Sequence, residues 1–237
     1  GVDEATGQRV LFLGDDVVIQ PGCLAVHRSV TNPDLAVVGP YPMTDLTGTD
    51  IYKNWAEPNP HPDIDNPQDA GWRFFATGNL SMDREWFMQL GGFDSLFHLY
   101  GWEDLDLGLR FERSGGRLVF NSKAKARHEH GMTHDMLWRR EWEMGFSAWH
   151  FWNKWSHEAG NEVHWMKFWD DASKLNPGAA WKTALGHQLI RMIDRFAPRS
   201  SLASRLYERM VFSCRLRGVA EAFRQSQQSP TMIGPES

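Results

Sequence analysis

The sequence is short of several things, and each shortage excludes something. Its 237 residues include only two cysteines, Cys23 and Cys214. Two thiols so far apart, with no Cys-x-x-Cys pair, make neither a disulfide framework nor a zinc knuckle. A reducing, cytoplasmic setting is therefore the default, with one long-range disulfide left open. No run approaches the roughly 18 consecutive apolar residues of a membrane-spanning helix. There is no internal repeat and no low-complexity tract. Positive charge is scarce through most of the chain: residues 1–181 carry 16 Lys and Arg against 26 Asp and Glu. Nucleic-acid binding needs clustered cations that neutralise phosphates, so a general nucleic-acid binder is excluded. The chain opens on Gly1, with no basic-then-apolar signal segment behind it.

The rest is ordinary globular composition, 41% hydrophobic and 23% charged, with one excess. There are twelve Trp, of which eight lie between Trp138 and Trp181. Residues 182–237 reverse the charge balance, with 9 basic residues against 4 acidic ones.

Up to about residue 121, short apolar runs alternate with helical patterns. Residues 10–13, Val-Leu-Phe-Leu, have the all-apolar character of a buried strand and run straight into Gly14-Asp15-Asp16. Pro21 is placed for the first turn of a helix containing Leu24, Val26, His27 and Val30. Residues 35–38, 73–77 and 118–120 predict three further strands. Residues 1–7 read as the last turn of a helix closed by Gly7. Asp83 is placed to cap a helix that Gly91-Gly92 terminates, and another helix spans 103–113, with Leu105 and Leu109 at helical spacing. Residues 40–71 hold half of the twelve prolines and predict a long irregular segment of functional character. Beyond His134 the pattern is helical. The fold class is α/β, a mixed sheet flanked by helices, with a helical C-terminal extension.

Three constellations can carry chemistry. Asp15 and Asp16 follow a buried strand, where open α/β sheets place ligands; one or two carboxylates plus substrate phosphates suffice for Mg²⁺ or Mn²⁺. An Asp pair there also makes ordinary turn hydrogen bonds. Trp102-Glu103-Asp104-Leu105-Asp106 puts three carboxylates at a helix start, whose dipole tolerates ionised groups. A carboxylate aimed from there into a cleft can take a proton from a substrate hydroxyl, while a charged helix cap is the plain alternative. Arg127-His128-Glu129-His130 puts two His on one face of an extended segment, as metal ligands or as a polar surface patch.

Their order along the chain is more informative than any one of them. Strand–Asp-Asp, Gly78-Asn79-Leu80-Ser81, Gly91-Gly92-Phe93-Asp94, Trp102-Glu103-Asp104-Leu105-Asp106 and His128-x-His130 together resemble the family-2-type nucleotide-sugar glycosyltransferases of GT-A fold. The Glu-Asp block is also similar to the galactosyltransferase C-terminal module. The resemblance implies Mn²⁺ or Mg²⁺ held by Asp16 with His128 or His130, Asp104 as general base with Glu103 beside it, and Asp15, Asn79, Ser81, Trp102 and Asp106 around the substrates. It implies a nucleotide-sugar donor, a glycan or lipid-linked acceptor, inversion at the transferred carbon, and a role in polysaccharide biosynthesis. Two departures qualify it. Gly14 stands where many relatives have Asp, and the nucleotide-binding elements that precede the matched region in the family are absent, so Gly1 reads as a truncation point. A non-catalytic glycan-binding or interaction fragment is the alternative, and a metal-dependent phosphoesterase a third.

The expected organisation is a catalytic portion over 1–134, a Trp-rich and basic helical extension over 135–224, and a frayed tail over 225–237. Trp138, Trp142, Trp149 and Trp152 share a helical face expected to pack on the α/β part, or else to lie at a membrane interface. The basic helices beyond residue 182 are open to peripheral contact with the inner membrane face.

Overall fold

The structure is a computed structural model that describes residues 1–42, 66–129, 131–156, 180–196 and 201–228. Most of the proline-rich segment and His130 lie outside these described residues. The chain divides into two compact units. One contains residues 1–42, 66–95, 103–129 and 131; the other contains Leu96–Trp102 and the described residues from Met132 onward.

Among the described residues the first unit carries six strands: β1 (Arg9–Leu13), β2 (Val17–Ile19), β3 (Leu35–Val38), β4 (Asn79–Asp83), β5 (Arg117–Phe120) and β6 (Ala126–His128). Its helices are α1 (Cys23–Ser29), α2 (Arg84–Gln89) and α3 (Glu103–Arg113). Four strands form a mixed sheet in the order β1-β4-β3-β5, and β2 pairs with β6 in a separate ribbon. β4 is antiparallel to both neighbours, whereas β3 and β5 are parallel. It follows that β1, β3 and β5 all point one way. Their carboxyl ends, together with the start of β4, gather at one end of the sheet, where this kind of sheet binds ligands.

The apolar patterning explains the core. Val10, Ala36, Val38, Leu80 and Met82 from the strands meet Phe75, Phe87, Leu107, Phe111 and Leu118. Leu107 and Phe111 are four apart on α3, so they project from the same side. Asp83 caps α2 as its spacing predicts, its carboxylate accepting the Trp86 N–H at 3.0 Å.

Three local expectations change. Residues 73–77 do not form a strand: Trp72–Phe74 make a 3-10 turn, and the strand begins at Asn79. Gly71, at φ 82°, turns the chain there, and the Glu112 carboxylate accepts the Trp72 N–H at 2.8 Å. Trp72 and Phe75, three apart, both enter the interior from this turn, so packing overrides the β preference of the aromatic run. The helix after Pro21 starts only at Cys23, and residues 2–4 form a 3-10 turn instead of the end of a helix. The ribbon of β2 and β6 is additional to the expected strands.

Among its described residues the second unit packs three helices, α4 (His134–Trp155), α5 (Ala180–Phe196) and α6 (Ser201–Gln228), the last running into the stretch expected to fray. Thr133 caps α4, its hydroxyl accepting the Met136 N–H at 3.3 Å. The tryptophan face is real, and α6 is its partner. Trp138 lies parallel to His187 at 4.9 Å and to His134 at 5.8 Å, with the buried Tyr207 tilted against it. Trp149 meets Phe223 edge-on at 5.3 Å. Glu141, 3% exposed, pairs with Arg215. Trp138, Trp149 and Trp155 are interior residues. α5 leaves Leu185, Leu189 and Met192 exposed, and among the described residues no helix is long and apolar enough to cross a membrane. Both cysteines are free and buried, which removes the disulfide alternative; burial pushes the Cys214 thiol up to about 11.

Candidate functional site

The acidic pair sits in a tight turn at the carboxyl end of β1. The Val17 N–H donates to the Gly14 carbonyl at 3.1 Å, closing the turn with Asp15 exposed and Asp16 half-buried. In the ribbon, Val17 lies opposite His128, and the Glu129 N–H donates to the Asp16 carbonyl at 2.8 Å. This pairing brings two side chains from distant parts of the sequence together: Asp16 Oδ2 lies 2.9 Å from His128 Nε2. The far side of β6 is pinned by backbone bonds from Ala126 and His128 to the carbonyls of Pro40 and Pro42, at 2.9 and 3.0 Å. Gly14 also matters sterically, because a Cβ there would come within 3.0 Å of Asp16 Oδ1 and of the Val17 side chain. Glycine leaves the Asp16 carboxylate its room.

The pair fits a divalent cation. Two ligands bonded at about 2.1 Å and at right angles to one another are about 3.0 Å apart, which is the separation observed. A carboxylate with an imidazole suits Mn²⁺, and the carboxylate alone suits Mg²⁺. Among the described residues no cluster of three or more His, Cys, Asp or Glu could hold a metal. Among the described residues, this pair would offer two ligands and leave the other positions to water or substrate oxygens.

Asp104, the second residue of α3, is held by a single neighbour. The Thr77 hydroxyl donates to Oδ1 at 2.5 Å and the Thr77 N–H to Oδ2 at 3.1 Å. Burial raises the Asp104 carboxyl above its usual range, with the two Thr77 bonds acting in the opposite direction. Thr77 is followed by Gly78, whose carbonyl accepts the Gly14 N–H at 3.3 Å. Two hydrogen-bonded steps thus connect Asp104 to the turn bearing Asp16. Glu103 is half-buried beside it in the chain.

The remaining site residues have other roles. Asn79 and Ser81 are 0% and 1% exposed, and their polar atoms are committed inside the fold. Asn79 Nδ2 donates to the Ala124 carbonyl at 2.7 Å, so its Oδ1 must be the atom facing His27 Nε2 at 3.1 Å. That makes Nε2 the donor, and Nδ1 of a neutral His27 accepts from the Ser81 hydroxyl at 2.9 Å. Asp106 is fully buried and accepts from Arg110 Nε at 2.8 Å. Arg110 in turn donates to the carbonyls of Leu90 and Gly92 at 2.6 and 2.7 Å, clamping the Gly91-Gly92 turn onto α3. Trp102 packs in the helical unit, its indole N–H donating to the Met144 carbonyl at 3.0 Å and its ring 5.1 Å from Phe151. Its φ of 75° is rare for a large side chain and costs about 1–3 kcal/mol, which these contacts must offset.

Asp16 and His128 are thus brought together directly, Asp104 is joined to them through Thr77 and Gly78, and Asn79 braces the site from behind. Asp106 anchors Arg110, and Trp102 is held against Met144 and Phe151. Thr77, His27 and Arg110 were not foreseen. The only sequence signal for them was their company: a hydroxyl just before Gly-Asn, a His on the buried side of a short helix, and an Arg four residues after Asp106.

His27 makes a stability prediction. Burial lowers its pKa below the ordinary imidazole value near 6.5. Below that value the unfolded chain gains a proton that the folded chain resists, so stability falls with decreasing pH. Thermal melts from pH 7.5 to 5.5 should show a steeper loss in the wild type than in His27→Gln. Parallel slopes would refute the assignment.

Comparison with known proteins bears on residues 63–135, which match a family model described as the N-terminal domain of galactosyltransferase. The chain is similar to "Putative polypeptide N-acetylgalactosaminyltransferase 13" of Drosophila melanogaster, 27% identical over 135 residues, covering 50% of this chain and 24% of that protein. It is also similar to "Uncharacterized glycosyltransferase YfnE" of Bacillus subtilis (strain 168), 48% identical over 44 residues, covering 19% of this chain and 11% of that protein. Among solved structures it aligns with "Crystal structure of GalNAc-T7 with UDP, GalNAc and Mn2+" at a TM-score of 0.39 and 15% identity, over 56% of this chain and 30% of that one. The chain spans about a quarter or less of the curated relatives it matches. The resemblance to glycosyltransferases drawn from the motif order therefore holds, and the matched segment contains Thr77, Asp104 and His128.

Proposed function

We propose that this chain is part of a glycosyltransferase that moves a sugar from a nucleotide-diphosphate donor to a glycan hydroxyl, with inversion. The observation that carries this reading is the hydrogen-bonded path Asp104–Thr77–Gly78–Gly14, which joins a half-buried carboxylate to the turn bearing the Asp16–His128 pair. Sugar transfer needs both: a base for the acceptor and a cation site for the leaving diphosphate.

Asp104 accepts the proton of the acceptor hydroxyl as that oxygen bonds to the anomeric carbon. The bond from that carbon to the diphosphate breaks on the opposite face, and its electron pair leaves with the diphosphate. Asp16 and His128 would hold Mn²⁺ or Mg²⁺, which would supply charge neutralisation to the departing group. The remaining coordination positions suit diphosphate oxygens, so donor and cation should bind together.

Calorimetry with UDP, with and without Mn²⁺, tests this reading. UDP binding should require Mn²⁺ and weaken at least about tenfold in Asp16→Ala, since losing even an outer-shell partner of a metal ligand costs about 10–100-fold. UDP binding that survives EDTA unchanged would count decisively against the cation site.

A further inference from the structure

We propose that Thr77 is the positioning residue for Asp104, fixing the direction of its free lone pairs and holding it as the anion. The inference deepens the reading above and rests on Asp104 being the base. A single residue grips both carboxylate oxygens, through its hydroxyl at 2.5 Å and its backbone N–H at 3.1 Å. Each carboxylate oxygen has two acceptor positions, so each keeps one after Thr77 has taken the other. Rotation about the last side-chain bond is blocked. The orientation of the carboxylate plane, and with it of the unused lone pairs, is therefore fixed, which proton abstraction requires.

The grip also chooses a charge state. Hydrogen bonds to a carboxylate are stronger than those to a neutral carboxyl group, so two donors favour the ion. Burial works against it, and Thr77 offsets part of that cost. The charged neighbours on α3 are Glu103 and Asp106, the latter met by Arg110. From the facing loop, the two groups that reach Asp104 are the Thr77 donors.

The same loop sets where this carboxylate sits relative to the cation pair. Thr77 holds Asp104, the Gly78 carbonyl holds Gly14, and the Asn79 side chain holds Ala124, two residues before β6 and its His128. Three consecutive residues thus each tie down one part of the site. Gly78 leaves little slack, since a Cβ there would lie 2.7 Å from the Tyr41 ring.

The test is a ¹³C NMR titration of labelled aspartate in this chain, with the Asp104 signal assigned by its loss in Asp104→Asn. Thr77→Val, which keeps the shape and removes the hydroxyl, should move the Asp104 midpoint upward, and Thr77→Ser should restore it. Thr77→Ala serves as a second hydroxyl-free variant if the Val form does not fold. An unmoved midpoint in the hydroxyl-free variant, or a Ser variant that behaves like it, would overturn the proposal. Transfer assays separate this from the function itself. If Asp104 is the base, Thr77→Val should lose transfer mainly at low pH and regain it as pH rises. A moved midpoint with an unchanged pH profile would refute Asp104 as base while leaving the role of Thr77 toward its carboxylate intact.

Discussion

In the complete enzyme, Asp104→Asn is expected to lower sugar transfer by about a hundredfold to ten-thousandfold, the range that a positioned general base contributes, while UDP binding with Mn²⁺ stays close to wild type. The structure makes this a clean substitution. An asparagine can present its carbonyl oxygen to the Thr77 N–H and its amide to the Thr77 hydroxyl, which turns from donor to acceptor. The local fold is kept, and only the capacity to take a proton is removed. The pH profile gives a second reading of the same group. A base works ionised, and burial raises the Asp104 carboxyl above its ordinary range. The acid side of the transfer profile should therefore fall off at higher pH than an exposed aspartate would give. In Asp104→Asn whatever activity is left should lose that limb. Wild-type turnover in this variant would remove Asp104 from the chemistry.

What could be read in advance depended on how local each signal was. β3 is four consecutive apolar residues, and α3 has its acidic start, its apolar spacing and its glycine stop within one short stretch. Both were legible because propensity and packing agree there. The 73–77 run misled because its aromatic residues enter the core from a 3-10 turn, which depends on Glu112, 40 residues away, accepting the Trp72 N–H. Asp16 and His128 were each nameable from residue type and order. Their contact needs the β2–β6 ribbon, an antiparallel pairing of two three-residue strands more than a hundred residues apart. Asn79, Ser81 and Asp106 show the reverse limit. Residue type marks a polar group as capable of binding something, and only burial reveals that His27, Ala124 and Arg110 already use it. Thr77 was invisible for the same reason: its partner lies 27 positions on, at the start of another element.

A single methyl group at either of two glycines should break the packing of the helical unit. A Cβ added at Gly145 would lie 1.9 Å from the Arg215 carbonyl oxygen, and one at Gly218 would lie 2.0 Å from that of Trp142. Each obstacle is backbone of the facing helix, so no rotamer change relieves it, and α4 and α6 must separate. The separation loosens contacts that hold the aromatic excess inside: Trp149 against Phe223, Trp138 against Tyr207, and the pairing of buried Glu141 with Arg215. Overpacking costs typically 1–3 kcal/mol, and weakening a buried ion pair adds to it. Gly145→Ala or Gly218→Ala should therefore lower the thermal midpoint by roughly 6–12 °C, taking about 3 kcal/mol at about 2–4 °C per kcal/mol for a chain of this size. Gly186→Ala is the internal control. The Cβ there would meet the Met210 sulfur at 2.4 Å, the far part of a flexible side chain that can swing aside, and alanine gains up to about 1 kcal/mol of helix propensity over glycine. That variant should melt within a few degrees of wild type. Equal melting of all three would mean that α4 and α6 do not meet through their glycines, and the packing assigned to the tryptophan face would fall with that contact.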